Sequence, residues 1–182
     1  MSAWRPRSRA GLLVALLLVS AVVGAMVQFS PGPASAVEPP PNIVMILTDD
    51  QRADTLGYMP IVQQTLGKHG VTFTNAYVSN PVCCPSRATI LTGLYSHSTG
   101  VYTNDLDGGF AAFDDSSTIA TWLHDAGYRT GLFGKYLNGY ESEYTPPGWD
   151  RWFAMHGSGT YYDYVATTDG TIVDYGDDPD HA

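Results

Sequence analysis

The sequence predicts an α/β fold, a mostly parallel central sheet flanked by helices. Two observations carry this: runs of strand length alternate with helical segments that stop at glycine, and one run, residues 42–48 (NIVMILT), is almost wholly apolar. A strand without a polar face suits burial on both sides, the environment of a parallel strand under helices. It ends on two adjacent carboxylates, Asp49 and Asp50, and open α/β sheets bind their ligands beyond the carboxyl ends of strands.

Residues 59–69 place Ile61, Val62 and Leu66 at helical spacing and stop at Gly70, and VTFTNAYV (71–78) alternates like a second strand. Proline fits the first helical turn, so a helix is expected to start at Pro85 and run through Ile90 and Leu91 to Gly93. Ser116 or Ser117 caps another through Ile119, Trp122 and Leu123, closed by Gly127, and YRTGLFG (128–134) reads as the next strand. After it, YTPPGWDRWF is a proline-rich aromatic turn, and YYDYVATTDGTIVDYG is a hairpin around Asp169-Gly170. No internal repeat is visible. The closing DDPDHA is neither a capped helix nor a finished strand. A short open parallel sheet buries little surface, so residues 42–182 are expected to be an incomplete domain.

Residues 1–36 read as a secretory signal peptide: Arg5, Arg7 and Arg9, an apolar run from Gly11 to Val27, and a small-x-small site at Ala34-Ser35-Ala36. The rival is an uncleaved anchor, because the apolar run approaches the roughly 20 residues that span a bilayer. Residues 37–41 form a linker. The leader holds three of the nine Lys and Arg and none of the 18 Asp and Glu, so the chain beyond it is more acidic than the net charge of −9 implies. With no basic patch to release phosphate counterions, nucleic acid is not an expected partner.

Export makes the cysteines informative. The chain has two, Cys83 and Cys84, and they are neighbours. Their Cα atoms are held about 3.8 Å apart, below the usual disulfide range, so a bridge between them would be strained. Cys83 lies just ahead of the expected helix, where backbone N–H groups favour negative charge, and Arg87 in the first turn offers a planar fork to an anion. Asp49 and Asp50 read either as a solvated turn or as hard ligands for calcium or magnesium. The cysteines and Arg87 read either as structural residues or as an anion site.

The stretch C-C-P-S-R-A-T-I-L-T-G, Cys83 to Gly93, resembles the signature of the type I sulfatases of the alkaline phosphatase superfamily. PNIVMILTDDQR resembles that family's first strand and metal-binding Asp pair. LYSH, GVYTN, GKYLNGY and PPGWDRW are similar to the branch with the N-acetylglucosamine-6-sulfatases and extracellular heparan 6-O-endosulfatases. The resemblance runs from about residue 41 to 176. It implies the N-terminal part of an alkaline phosphatase-like sulfatase fold and hydrolysis of sulfate monoesters on a sulfated small molecule or glycan. It implies that Cys83 is oxidised to Cα-formylglycine by a formylglycine-generating enzyme acting on the unfolded chain, with Cys84 at the motif's variable position. It further implies calcium held by Asp49, Asp50 and the modified Cys83, with Arg87 steadying the hydrate and Lys135 on the sulfate. His97 and Asn104 are further substrate-binding candidates, and Asn138 a weaker one. His97 reads equally as a loop histidine with a structural bond, and Lys135 as a solvated strand end.

Two departures bear on this. Leu137 stands where many arylsulfatases have histidine, as in the glycan branch. The family's later half, with a second Asp-Asn pair, a lysine and a histidine, has no counterpart in these 182 residues. The expected product is therefore an exported sulfatase. The alternatives are an inactive remnant or secreted calcium- or glycan-binding fragment, and a phosphoester hydrolase of the same superfamily. Contact with a membrane is expected only if the leader stays uncleaved.

Overall fold

The structure is a computed structural model that describes residues 39–157 and 161–176. The expected signal peptide lies outside the described residues, as do Asp177, Asp178 and Asp180. The chain divides into two compact units, residues 1–47 and 48–182. No helix among the described residues is long and apolar enough to cross a membrane.

The described part of the first unit corrects one expectation. Residues 42–47 form no strand, and Ile43 to Leu47 are 46–82% exposed. VTFTNAYV in the second unit is likewise irregular, with Val71, Phe73, Tyr77 and Val78 on the surface. Pattern encodes which faces a strand can bury, but a strand also needs a neighbour's backbone to complete its ladder. Neither run has one among the described residues.

In the second unit a 3₁₀ segment, Ala53–Tyr58, leads into α1, Pro60–Val62, which continues as a π-helical turn over Gln63–Gly67. The helical expectation for residues 59–69 thus holds in broken form, without a buried face. The principal helix, α2, spans Cys83–Thr92 and ends at Gly93 with φ 71°, the left-handed stop that glycine adopts without a Cβ clash. It begins two residues before the expected Pro85, whose missing N–H costs nothing inside a first turn. α3 is Ser96–Thr99. α4, Ile119–Asp125, is capped by Thr118, not by either serine: Thr118 and Thr121 form a reciprocal capping box.

The sheet is mixed, in the order β1-β2-β3-β4. β1 (Gly131–Lys135) pairs in parallel with β2 (Arg151–Met155), while β2 with β3 (Val165–Thr168) and β3 with β4 (Thr171–Asp174) are antiparallel. The β3–β4 turn is Asp169-Gly170, both at positive φ (46° and 85°), as the sequence predicts. Parallel pairing is confined to β1–β2, so the α/β class holds with a mixed sheet.

The core sits where α2 meets the chain after β1. Cys84, Ala88, Val101, Phe113, Tyr136, Leu137, Tyr140, Trp152 and Ala154 are buried together. Trp152 packs edge-on to Tyr136 and Tyr140 at centroid distances of 5.0 and 5.6 Å, and its indole N–H donates to the Tyr140 hydroxyl at 2.8 Å. The aromatic turn thus joins the core through Trp152, with Trp149 packed against it. Gly148 in that turn has φ 84°, its carbonyl accepts from the Thr130 hydroxyl, and a Cβ there would overlap the backbone of Ala120 and Thr121 at the start of α4. Gly148→Ala is expected to destabilise the fold by about 2–4 kcal/mol through strain plus overlap, read as a lower urea midpoint at unchanged m.

Candidate functional site

The site is built on the first turn of α2 and the carboxyl end of β1. Asn80 Oδ1 accepts the Val82 N–H at 3.0 Å, a turn that delivers the chain into the helix. Cys83 is the first helical residue, half-buried, and Cys84 the second, fully buried. Both thiols are free. The Cys84 N–H, one of the donors a helix start leaves unpaired, is taken by Asn104 Oδ1 at 2.8 Å. The Cys84 thiol is pushed up from its ordinary pKa by burial, so it stays protonated and unreactive at neutral pH.

Asp49 is the hub on the open side. Its carboxylate receives Lys135 Nζ at 2.7 Å and Arg87 Nη2 at 3.3 Å, and Cys83 Sγ lies 4.0 Å from Oδ1. Arg87 also spans to the Lys135 carbonyl at 2.7 Å, so its fork fixes the helix to the strand end while still facing Asp49. The Arg87 and Lys135 side chains are only 12% and 14% exposed, which leaves their attraction to Asp49 little screened. The Lys135 ammonium, then Arg87, holds the Asp49 carboxyl below its usual range despite partial burial. It is ionised throughout the neutral range. Asp50 follows with φ 49°, a left-handed conformation that aspartate tolerates better than most residues and that concentrates at functional sites.

The residues present fit a hard divalent cation. One ligand atom each from Asp49, Asp50 and Cys83 can be chosen so that all lie within 4.8 Å of one another. Calcium binds oxygens at about 2.3–2.6 Å, so ligand atoms on one ion are separated by up to about 5 Å. Two carboxylates suit calcium; a thiolate is a soft donor that it does not favour, whereas an oxygen at the Cys83 position would complete a hard set.

The structure thus brings together Asp49, Asp50, Cys83, Arg87 and Lys135. Asn104 approaches from behind, through the helix N-terminus. His97, on α3, is exposed and stacks on Tyr95 at 5.9 Å, with no contact to the cluster. The part played by Cys84 and Asn138 is not visible in the sequence pattern. The Asn138 N–H donates to Cys84 Sγ at 3.1 Å, and a Cβ on Gly109 would lie 3.3 Å from that sulfur and 3.1 Å from the Asn138 carbonyl. The signal available was the GGF turn at Gly108-Gly109-Phe110, where close backbone approach needs glycine.

A helix start carrying a cysteine and an arginine, set against a strand end carrying a lysine, gives an α/β protein with a cationic site at the end of a strand, and the family match assigns it to the alkaline phosphatase-like class. A family model described as "Sulfatase" matches residues 41–180, and the chain belongs to the sulfatase family, whose members are sulfuric ester hydrolases. It is 41% identical over 140 residues to a putative extracellular sulfatase Sulf-1 homolog of Caenorhabditis elegans, covering 74% of this chain and 20% of that protein. To the N-acetylglucosamine-6-sulfatase of Homo sapiens it is 38% identical over 152 residues, covering 75% and 27%. A solved structure in complex with its substrate D-glucosamine-2-N,6-O-disulfate is 35% identical with a TM-score of 0.46, over 56% of this chain and 20% of that one. The chain spans 20% to 27% of the length of these relatives.

Proposed function

We propose that this chain provides the nucleophile-bearing part of an exported sulfatase that cleaves sulfate monoesters on an amino sugar or sulfated glycan. The observation that carries the reading is the convergence of Asp49, Asp50 and Cys83 ligand atoms, with Arg87 and Lys135 both bound to Asp49. Family membership, and relatives named for extracellular and N-acetylglucosamine-6-sulfate chemistry, support the substrate class and export. The leader-like N-terminus supports export independently.

In this reading Cys83 is converted to Cα-formylglycine, and Asp49, Asp50 and the modified residue hold calcium, which supplies a Lewis acid for the sulfate oxygens. The hydrated aldehyde would supply a geminal pair of hydroxyls, a nucleophile and a route to product release, so that ester and water would become alcohol and sulfate. The remaining work belongs to the chain. Lys135 and Arg87 place positive charge where an anionic ester must come to rest, held by Asp49 and by each other, so little reorganisation is needed. The N-terminus of α2 adds a dipole of the same sign at residue 83. Asp49, kept ionised by its two cations, stays a competent ligand. Asn104 fixes the helix start, and exposed His97 is left for contact with the glycan beyond the sulfate. The folded chain holds Cys83 between the Asn80 turn before it and α2 after it, which supports modification before folding.

Paired assays of 4-nitrophenyl sulfate and 4-nitrophenyl phosphate, on the full encoded protein co-produced with the modifying enzyme, test the reading. Sulfate is expected to be preferred in kcat/KM by on the order of 100-fold. Preference for phosphate would replace the sulfatase reading by a phosphoester hydrolase, and inactivity on both by a non-catalytic binder.

A further inference from the structure

We propose that Cys84, the motif's second cysteine, is a positioning residue: its buried sulfur pins the first turn of α2 to the chain after β1 and so sets residue 83 against Lys135. The proposal rests on the sulfatase reading and assigns a part to a residue at that motif's variable position.

Three bonds converge on this one turn. Asn104 Oδ1 accepts the Cys84 N–H at 2.8 Å, the Asn138 N–H donates to Cys84 Sγ at 3.1 Å, and Arg87 Nη1 donates to the Lys135 carbonyl at 2.7 Å. The thiol faces the Asn138 carbonyl at 3.7 Å, and that carbonyl in turn accepts the Phe110 N–H at 3.3 Å. Cys84 is thus held through both its backbone and its side chain, by two different loops. Lys135 and Asn138 lie on one short stretch of chain, so wherever Asn138 is fixed to Cys84, Lys135 is fixed relative to Cys83. Arg87 alone would leave the turn able to pivot about a single contact; the sulfur supplies a second point. Cys84 is wholly buried with Gly109 against it, so the pin excludes water. Without the sulfur, the Asn138 N–H would be left buried with no acceptor, and the segment would shift to find one. Displacements of about 1 Å between nucleophile and binding groups cost catalysis up to about 100-fold.

The experiment compares the full encoded protein with Cys84→Ser and Cys84→Ala, each co-produced with the modifying enzyme. Rates on 4-nitrophenyl sulfate are normalised to the aldehyde content at residue 83 by mass spectrometry, well below each variant's unfolding temperature. Cys84→Ala is expected to lose at least about tenfold in kcat per aldehyde with KM within about threefold, while Cys84→Ser, whose hydroxyl can still accept the Asn138 N–H, retains kcat within about threefold. If the alanine variant does not fold, Cys84→Val fills the volume without an acceptor and carries the same expectation. A wild-type kcat per aldehyde in the alanine or valine variant, or a serine variant as slow as these, would overturn the positioning role. An unsubstituted protein that carries the aldehyde yet hydrolyses no sulfate ester would overturn the sulfatase reading, and the positioning role with it.

Discussion

Cys83→Ala in the full encoded protein is expected to lower kcat for sulfate esters by at least about 10³-fold, with thermal stability close to that of the parent. The size of the effect reflects what the residue contributes. As the proposed formylglycine it is both the precursor of the attacking group and a member of the cation's ligand set, and no neighbour can take over either part. Cys84 cannot substitute, because its sulfur is buried, protonated and engaged with the Asn138 N–H. The small cost in stability has the same structural origin: Cys83 is half-buried, and its side chain's contact is the distant approach to Asp49 at 4.0 Å. A variant that loses activity and stability together would assign Cys83 a packing role instead.

The second large effect is expected at the paired cations. Lys135→Ala and Arg87→Ala should each lower kcat/KM by about 10² to 10³-fold, the range seen when a preorganised group facing developing charge is removed. The two are not equivalent. Lys135 is a point charge on Asp49, whereas Arg87 bridges Asp49 and the Lys135 carbonyl with two nitrogens. Arg87→Lys keeps the charge but cannot make both contacts, so it is expected to recover little, with a loss of about tenfold or more remaining. The double variant should lose less than the product of the single losses, because the two groups share Asp49 as partner. Strict multiplication of the two losses would show that they act on separate steps.

Much of this site was legible in the sequence, and the reason differs from residue to residue. Cys83, Pro85 and Arg87 are neighbours on one helix turn, so their relation comes from helical geometry alone. The stop of α2 at Gly93 and the Asp169-Gly170 hairpin are set by local backbone preferences that short stretches encode, whereas α2 starts two residues before the expected Pro85. What spacing could not show is convergence from distant segments: that Lys135 meets Asp49, that Asn104 serves the start of α2, or that Asn138 reaches back to Cys84. The strand expectations for residues 42–48 and 71–78 failed for a related reason. Alternation and apolar continuity describe what a segment can bury, whereas a strand is defined by the neighbour that completes its hydrogen bonds.

The proposed formylglycine chemistry is tested most directly by mass spectrometry of the peptide spanning Asn80 to Gly93, isolated from the encoded protein made alongside a formylglycine-generating enzyme. The expected result is an aldehyde in place of the thiol at Cys83, Cys84 unmodified, and hydrolytic activity rising in proportion to the aldehyde content. An intact thiol at Cys83 in a preparation that hydrolyses sulfate esters, or a disulfide joining Cys83 to Cys84 in the active protein, would contradict it.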